Sequence, residues 1–256
     1  MNYELIYVRE TDSTNSYLKR WEANGGQVPG RTSVDASDRA TVVWTDFQTA
    51  GRGCGTNSWE SEAGRNLTFS ILLHPRDIPA RQQFILSMAH AVALRRTLSL
   101  YIDNVRVKWP NDIYWNDRKL CGTLIETSLG AAHIKSCIIG TGINVNQRDF
   151  RSDAPNPVSL CQILGHEVDR EEILRQVARQ TVLLAEQAES GQAQSIRDEY
   201  RSALYRRGET HTYRLPNGEE RHYRLDTVTD DGHLLLSTPD GHQQDAFAFK
   251  EIQFVI

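Results

Sequence analysis

The 256-residue sequence has few cysteines and no Cys-x-x-Cys pair. Cys54, Cys121, Cys137 and Cys161 are scattered. That argues against a zinc site or a disulfide framework and fits a reducing cytoplasm. No basic stretch followed by a cleavable apolar core opens the chain, so no signal peptide is expected. No apolar run approaches membrane-spanning length. A basic excess is missing too. The formal net charge is −4, which gives no reason to expect a nucleic-acid surface. Internal repeats and low-complexity segments are absent. So are a Gly-x-Ser-x-Gly turn and a cysteine beside a histidine, and no nucleophile–base pair is evident.

What the sequence does have is concentrated at residues 48–59, QTAGRGCGTNSW. Gly51, Gly53 and Gly55 flank Arg52 between two predicted strands, 41–46 and 66–74. Such a loop lets backbone N–H groups approach an anion. No helix follows it at once, so it is neither a Walker A loop nor a Rossmann turn.

The length suits one large domain, or a main domain plus a small one. Residues 5–8 predict a strand and TDSTN (11–15) a helix start, with Asp12, Ser13 or Thr14 as N-cap. Residues 27–40 read as a loop. The 66–74 strand alternates as if one face were well buried. Pro79 opens a helix to about Leu98, in which His90 is expected to be packed or solvated, not catalytic. Strands follow at 105–109, 113–115, 119–126 and 134–145, suggesting an antiparallel or mixed sheet. After a polar loop at 147–157 come helices at 159–164, from Asp169, and at 195–205. From about Arg206 three hairpin signals (216–218, 231–232, 239–241) predict a small all-β module docked on an α/β body. The expected division is therefore 1–205 and 206–256.

Four separated segments combine into one chemistry: GRGCG…W (51–59), KWPND (108–112), RKLCG (118–122) and GTGINVN (140–146). Arg and Lys with backbone amides suit a triphosphate, a carboxylate with an Asn suits Mg²⁺, and Asn with an indole suits adenine. The physical reading is nucleotide binding and group transfer by positioning and charge.

The order TDSTN, QTAGRG, Trp59, KWPND, RKLCG, GTGINVN resembles the biotin protein ligases, over Thr11 to Asn146. The resemblance implies a mixed, mostly antiparallel sheet flanked by helices (a class II synthetase-like catalytic domain) followed by an SH3-like barrel. It implies biotin and ATP, with Mg²⁺, giving biotinyl-5′-AMP, then transfer to a lysine of a biotin carboxyl carrier domain. It places Ser13, Thr14, Gln48, Gly51, Arg52, Lys119 and Gly122 at biotin. Arg52, Trp59, Asn111, Lys119 and Asn144 fall on the ATP side, with Asn66 ranked below them. Lys119, Asp112 and Arg52 are the catalytic set, and magnesium on the phosphates would lie near Asn111 and Asp112. Lys108 ranks below Lys119. A homodimer through the sheet edge is compatible with the family. TDSTN begins at Thr11, leaving no room for an N-terminal helix-turn-helix, so no DNA is expected as partner and no membrane. Cys54 stands where many relatives carry arginine; weaker adenylate retention, compensation by another cation such as Arg65, and simple tolerance of variation at that position are the open readings. The alternatives are a lipoate or octanoate ligase or transferase and a catalytically weak biotin-binding module.

Overall fold

The computed structural model describes residues 3–26, 40–55, 57–151 and 156–256; nearly all of the loop expected at 27–40 lies outside them. In chain order the elements are β1 (Tyr3–Thr11), α1 (Thr14–Ala23), β2 (Ala40–Gln48), β3 (Leu67–Leu73), α2 (Phe84–Leu98), β4 (Val105–Lys108), β5 (Asp112–Trp115), β6 (Arg118–Leu129) and β7 (Ile134–Ile143). They continue as α3 (Leu160–Leu164), α4 (Arg170–Glu189), α5 (Ala193–Ser202), β8 (Thr210–Arg214), β9 (Glu220–Val228), β10 (Leu234–Ser237), β11 (Gln244–Phe247) and β12 (Gln253–Phe254). A short 3₁₀ turn, Ala80–Gln82, intervenes between Pro79 and α2. Asp169 caps α4 by accepting from the N–H groups of Glu171 and Glu172, and Ser159 forms a capping box on α3.

The first seven strands form one sheet in the order β1-β2-β3-β7-β6-β5-β4. Only β1 and β2 are parallel. Helix α1 covers one face, and α2 with α4 covers the other. Strand β3 lies under both layers, so all seven of its residues are buried. This differs from the single buried face that its alternation suggests. Helix α2 is buried from Ile85 through Leu94, between sheet, α4 and α5. Each large apolar side chain buried this way contributes roughly 1.5–3 kcal/mol.

His90 belongs to that layer and is buried. Its ring nitrogens lie 2.9 Å from Thr181 Oγ1 on α4 and 2.8 Å from Thr141 Oγ1 on β7. Burial pushes its pKa down to about 3 from 6.5, so it is neutral when folded and charges only on unfolding. Its contribution to stability is complete above pH 6.5 and is lost as pH falls toward 3. Exchanging His90 for Gln is expected to remove about 1.4 kcal/mol per pH unit of acid sensitivity in that window. Urea titrations at about pH 7 and about pH 5 check this, with a difference of about 2 kcal/mol between the two proteins; identical pH dependence contradicts it.

The last five strands form a second antiparallel sheet, β11-β10-β9-β8-β12. The ladder has edges at β11 and β12 and does not close, so the barrel expected from the resemblance is here an open sheet. It shares one core with the body. Tyr114 and Phe254 both stack on Tyr205, and Trp109 Nε1–H donates to the Gly232 carbonyl at 2.9 Å. Arg201 Nε donates to the Val228 carbonyl at 2.8 Å.

Candidate active site

A cavity of about 1060 Å³ is lined from both sides of the sheet, by the start of α1 and by Gln83, Phe84 and Ser87 at the start of α2. Its further walls are the 48–59 loop, the KWPND turn and the ends of β6 and β7. The loop is pinned at its base: Thr49 and Ala50 N–H donate to the carbonyls of Thr11 and Asp12, each at 2.9 Å. It then folds on itself, with Gly53 N–H on Asn57 O at 2.7 Å and Trp59 N–H on Gly51 O at 3.1 Å. The base of the Gly-rich loop is thus tied to the TDSTN segment through the backbone.

Ser13 is the N-cap of α1 but makes no side-chain capping bond; its side chain lines the cavity. Thr14 N–H donates to Gln48 Oε1 at 2.8 Å, fixing that amide. Arg52 Nη2 donates to Glu126 Oε2 at 2.7 Å. Lys119 Nζ donates to Asp112 Oδ2 at 2.7 Å. Burial of the Lys119 amine opposes its charge, but Asp112, by its field and its hydrogen bond, holds the pKa above the ordinary lysine value. A cation therefore persists at the junction of β5 and β6.

Two glycines make room for the layer above the sheet. A Cβ on Gly142 would fall 2.1 Å from Trp59 Cε2, and one on Gly140 would fall 2.1 Å from Asn15 Oδ1. The Trp59 indole lies over Gly142 and Gly122 as a flat wall. Its Nε1–H is buried without a hydrogen-bond partner, as are Ser87 Oγ and Thr123 Oγ1, which also line the cavity. Unpaired buried donors of this kind are costly unless a ligand meets them.

Of the residues singled out from sequence, the cavity gathers Ser13, Thr14, Gln48, Arg52, Trp59, Asn111, Asp112, Lys119, Gly122 and Asn144. Gly51 supports the loop behind it. Asn66 does not line it: Nδ2 donates to Gln147 Oε1 at 2.6 Å and Oδ1 accepts from Val145 N–H at 3.0 Å, so Asn66 fastens the 144–147 segment. Arg65 is paired with Glu167 at 2.8 Å and is not in the cavity, so it does not replace the arginine missing at Cys54. Cys54 lines the cavity, partly exposed. Lys108 also lines it, but its ammonium sits over the Tyr114 and Phe254 rings, 5.0 and 5.1 Å from their centroids. Sequence reading missed Arg151, a further cavity cation, because it sits in a polar loop with no motif. It also missed Glu126, which faces α1 from mid-strand.

Among the described residues no three His, Cys, Asp or Glu side chains stand together as a metal cage. Of the carboxylates lining the cavity, Asp112 is engaged by Lys119, and Glu60 and Asp231 lie on other elements.

The family model described as "Biotin/lipoate A/B protein ligase family" matches residues 27–144. The biotin–[acetyl-CoA-carboxylase] ligase of Paracoccus denitrificans is 30% identical over 205 residues, 77% of this chain and 83% of that protein. The chain belongs to the biotin protein ligase family. In structure it is similar to the Aquifex aeolicus biotin protein ligase solved in complex with biotin and ATP, with TM-score 0.77, 25% identity and 98% and 99% of the two chains covered. The bifunctional ligase/repressor BirA of Bacillus spizizenii is 36% identical over 141 residues. That match covers 54% of this chain and 43% of BirA, so it spans less than half of that relative's length. The family-model match takes in the Gly-rich loop, KWPND and RKLCG and ends within GTGINVN, while TDSTN precedes it.

Proposed function

We propose that this chain is an ATP-dependent ligase that activates biotin as biotinyl-5′-AMP and transfers it to one lysine of a biotin carboxyl carrier domain. The observation that carries the reading is the Lys119–Asp112 pair, set at the strand junction between the loop arginine and the KWPND turn. In the first step the biotin carboxylate oxygen attacks the α-phosphorus of ATP, the bond to the β-phosphate oxygen breaks, and pyrophosphate leaves. Lys119 neutralises the charge that builds between carboxylate and phosphate, and Arg52 adds to it from the loop. In the second, the carrier lysine's amine attacks the acyl carbon, the bond to AMP breaks, and the amine's proton is lost to Asp112 or solvent. The 48–59 loop keeps water from the mixed anhydride. Ser13, Thr14, Gln48 and Gly122 hold biotin; Trp59, Asn111 and Asn144 hold the nucleotide, which brings its Mg²⁺ with it.

The polar floor favours biotin over lipoate or octanoate. Thr14 and Gln48 are hydrogen-bonding groups suited to a ureido ring, whereas an octanoyl chain offers them nothing. Pyrophosphate release supported by biotin, and not by lipoate or octanoate, is the expected result; release with lipoate alone would overturn this choice. The intact Lys119–Asp112 pair also speaks against a binding module without chemistry.

Two assemblies draw on one feature. The β5 ladder on β6 ends at Cys121, so residues 122–129 have β7 on one side and no described strand on the other. An open edge beside the reacting groups suits a carrier's strand or a second copy of this chain. The division at 205/206, a reducing cytoplasmic location and the lack of a DNA-binding role belong to the same proposal. The location and the lack of a DNA-binding role are supported by four free cysteines among the described residues and a net charge of −4, and the division by the separate sheet of β8 to β12. No described helix is long and apolar enough to cross a membrane.

A further inference from the structure

Beneath the cavity, a chain of hydrogen bonds leads from Thr14 to a carboxylate that does not line it. Glu126 Oε2 accepts from Asn15 Nδ2 at 2.8 Å and from Arg52 Nη2 at 2.7 Å, and its Oε1 accepts from Lys19 Nζ at 2.8 Å. An ionised carboxylate only accepts, so the group facing it must be the Asn15 amide nitrogen. Asn15 Oδ1 then faces Ser70 Oγ at 2.6 Å, and the hydrogen in that contact can come only from Ser70. Ser70 has one hydroxyl proton. The next contact, Ser70 Oγ to Thr14 Oγ1 at 2.7 Å, must therefore use the proton of Thr14. Thr14 Oγ1 also lies 3.1 Å from Gln48 Oε1, which has a second lone pair beside the one taken by Thr14 N–H, but a proton sent there would leave Ser70 Oγ and Thr14 Oγ1 2.7 Å apart with no hydrogen between them. The chain thus has one direction, Thr14 to Ser70 to Asn15 to Glu126.

The consequence is chemical. With its proton turned down into the floor, the Thr14 hydroxyl offers the cavity only lone pairs. We propose that Glu126 is a positioning residue that, through Asn15 and Ser70, fixes Thr14 as an acceptor and so makes the site select a substrate presenting an N–H there. This rests on the biotin reading, in which that N–H belongs to the ureido ring. Glu126 and Ser70 touch no substrate; they act through Thr14.

Calorimetric titration of the full chain with biotin, and with the two isosteric cyclic carbamates in which one ureido N–H is replaced by a ring oxygen, tests this. The wild-type protein is expected to bind one carbamate at least about 10²-fold more weakly than biotin, because its acceptor is left unpaired. Glu126→Leu frees Asn15 to turn over and Thr14 to re-aim its proton, and the ratio falls to about tenfold or less. Ser70→Ala, which cuts the chain at a second point, gives the same fall. Glu126→Gln keeps an acceptor oxygen for Asn15 and retains the ratio. A ratio unchanged in Glu126→Leu and Ser70→Ala overturns the proposal even if their affinity for biotin drops, because a merely structural role would weaken all three ligands alike. A wild-type chain that binds no biotin overturns the ligase reading and this one together.

Discussion

Lys119→Ala is expected to lower pyrophosphate release with biotin and ATP by about 10³-fold while leaving the fold unchanged. The amine is a cation held beside the strand pair β5–β6, 2.7 Å from Asp112 Oδ2. Removing it does more than subtract a positive charge. Asp112 is left as an uncompensated carboxylate in the place where a second carboxylate and a phosphate have to meet, and like charges at that range repel strongly in a half-buried site. Asp112→Asn with Lys119→Ala should therefore be less impaired than Lys119→Ala alone, a non-additivity expected for residues that act as a pair. Lys119→Arg keeps the charge but spreads it over a planar fork. It is expected to retain substrate binding and lose most of the rate. Steady-state pyrophosphate release for the four proteins checks the set; a Lys119→Ala protein within tenfold of wild type would contradict it.

Gly142→Ala is expected to evict Trp59 and lower kcat/KM for ATP by at least about 10²-fold. A Cβ there would sit 2.1 Å from Cε2, 2.4 Å from Cζ2 and 2.5 Å from Nε1 of the indole. Strand β7 cannot shift to make space, because it is paired along its length with β3 on one side and β6 on the other. The indole has to leave, at a cost of about 1–3 kcal/mol in stability. Adding Trp59→Ala should restore most of that stability and none of the ATP affinity. Denaturant titration and nucleotide titration of the single and double variants read the two effects separately. A Gly142→Ala protein as stable as wild type would contradict the steric account.

These two residues also mark what could be read without coordinates. Lys119, Asp112 and Gly142 sit in short local motifs at strand ends, where Pro110, the Asn116-Asp117 turn and alternating apolar residues announce the geometry. The order of strands and helices was legible for the same reason, since period and punctuation are local. The floor was not. Ser70 and Thr14 are 56 positions apart, and Asn15 and Glu126 are 111 apart. Each taken alone is an ordinary polar residue on an ordinary element, and only the folded sheet joins them. Asn66 and Arg65 show the converse. Both stand beside motif residues, but Asn66 turns inward to Val145 and Gln147, and Arg65 turns outward to Glu167. Neighbourhood in sequence did not say which way they pointed. The closure expected of the C-terminal strands is a further case, since hairpin signals specify turns but not whether the last strand meets the first.

Intact-mass analysis of a biotin carboxyl carrier domain, incubated with this protein, biotin, ATP and Mg²⁺, decides whether the chain is a ligase. The carrier is expected to gain the mass of one biotinyl group, and to gain none with Lys119→Ala. An unmodified carrier together with no pyrophosphate release from biotin and ATP would contradict the ligase reading.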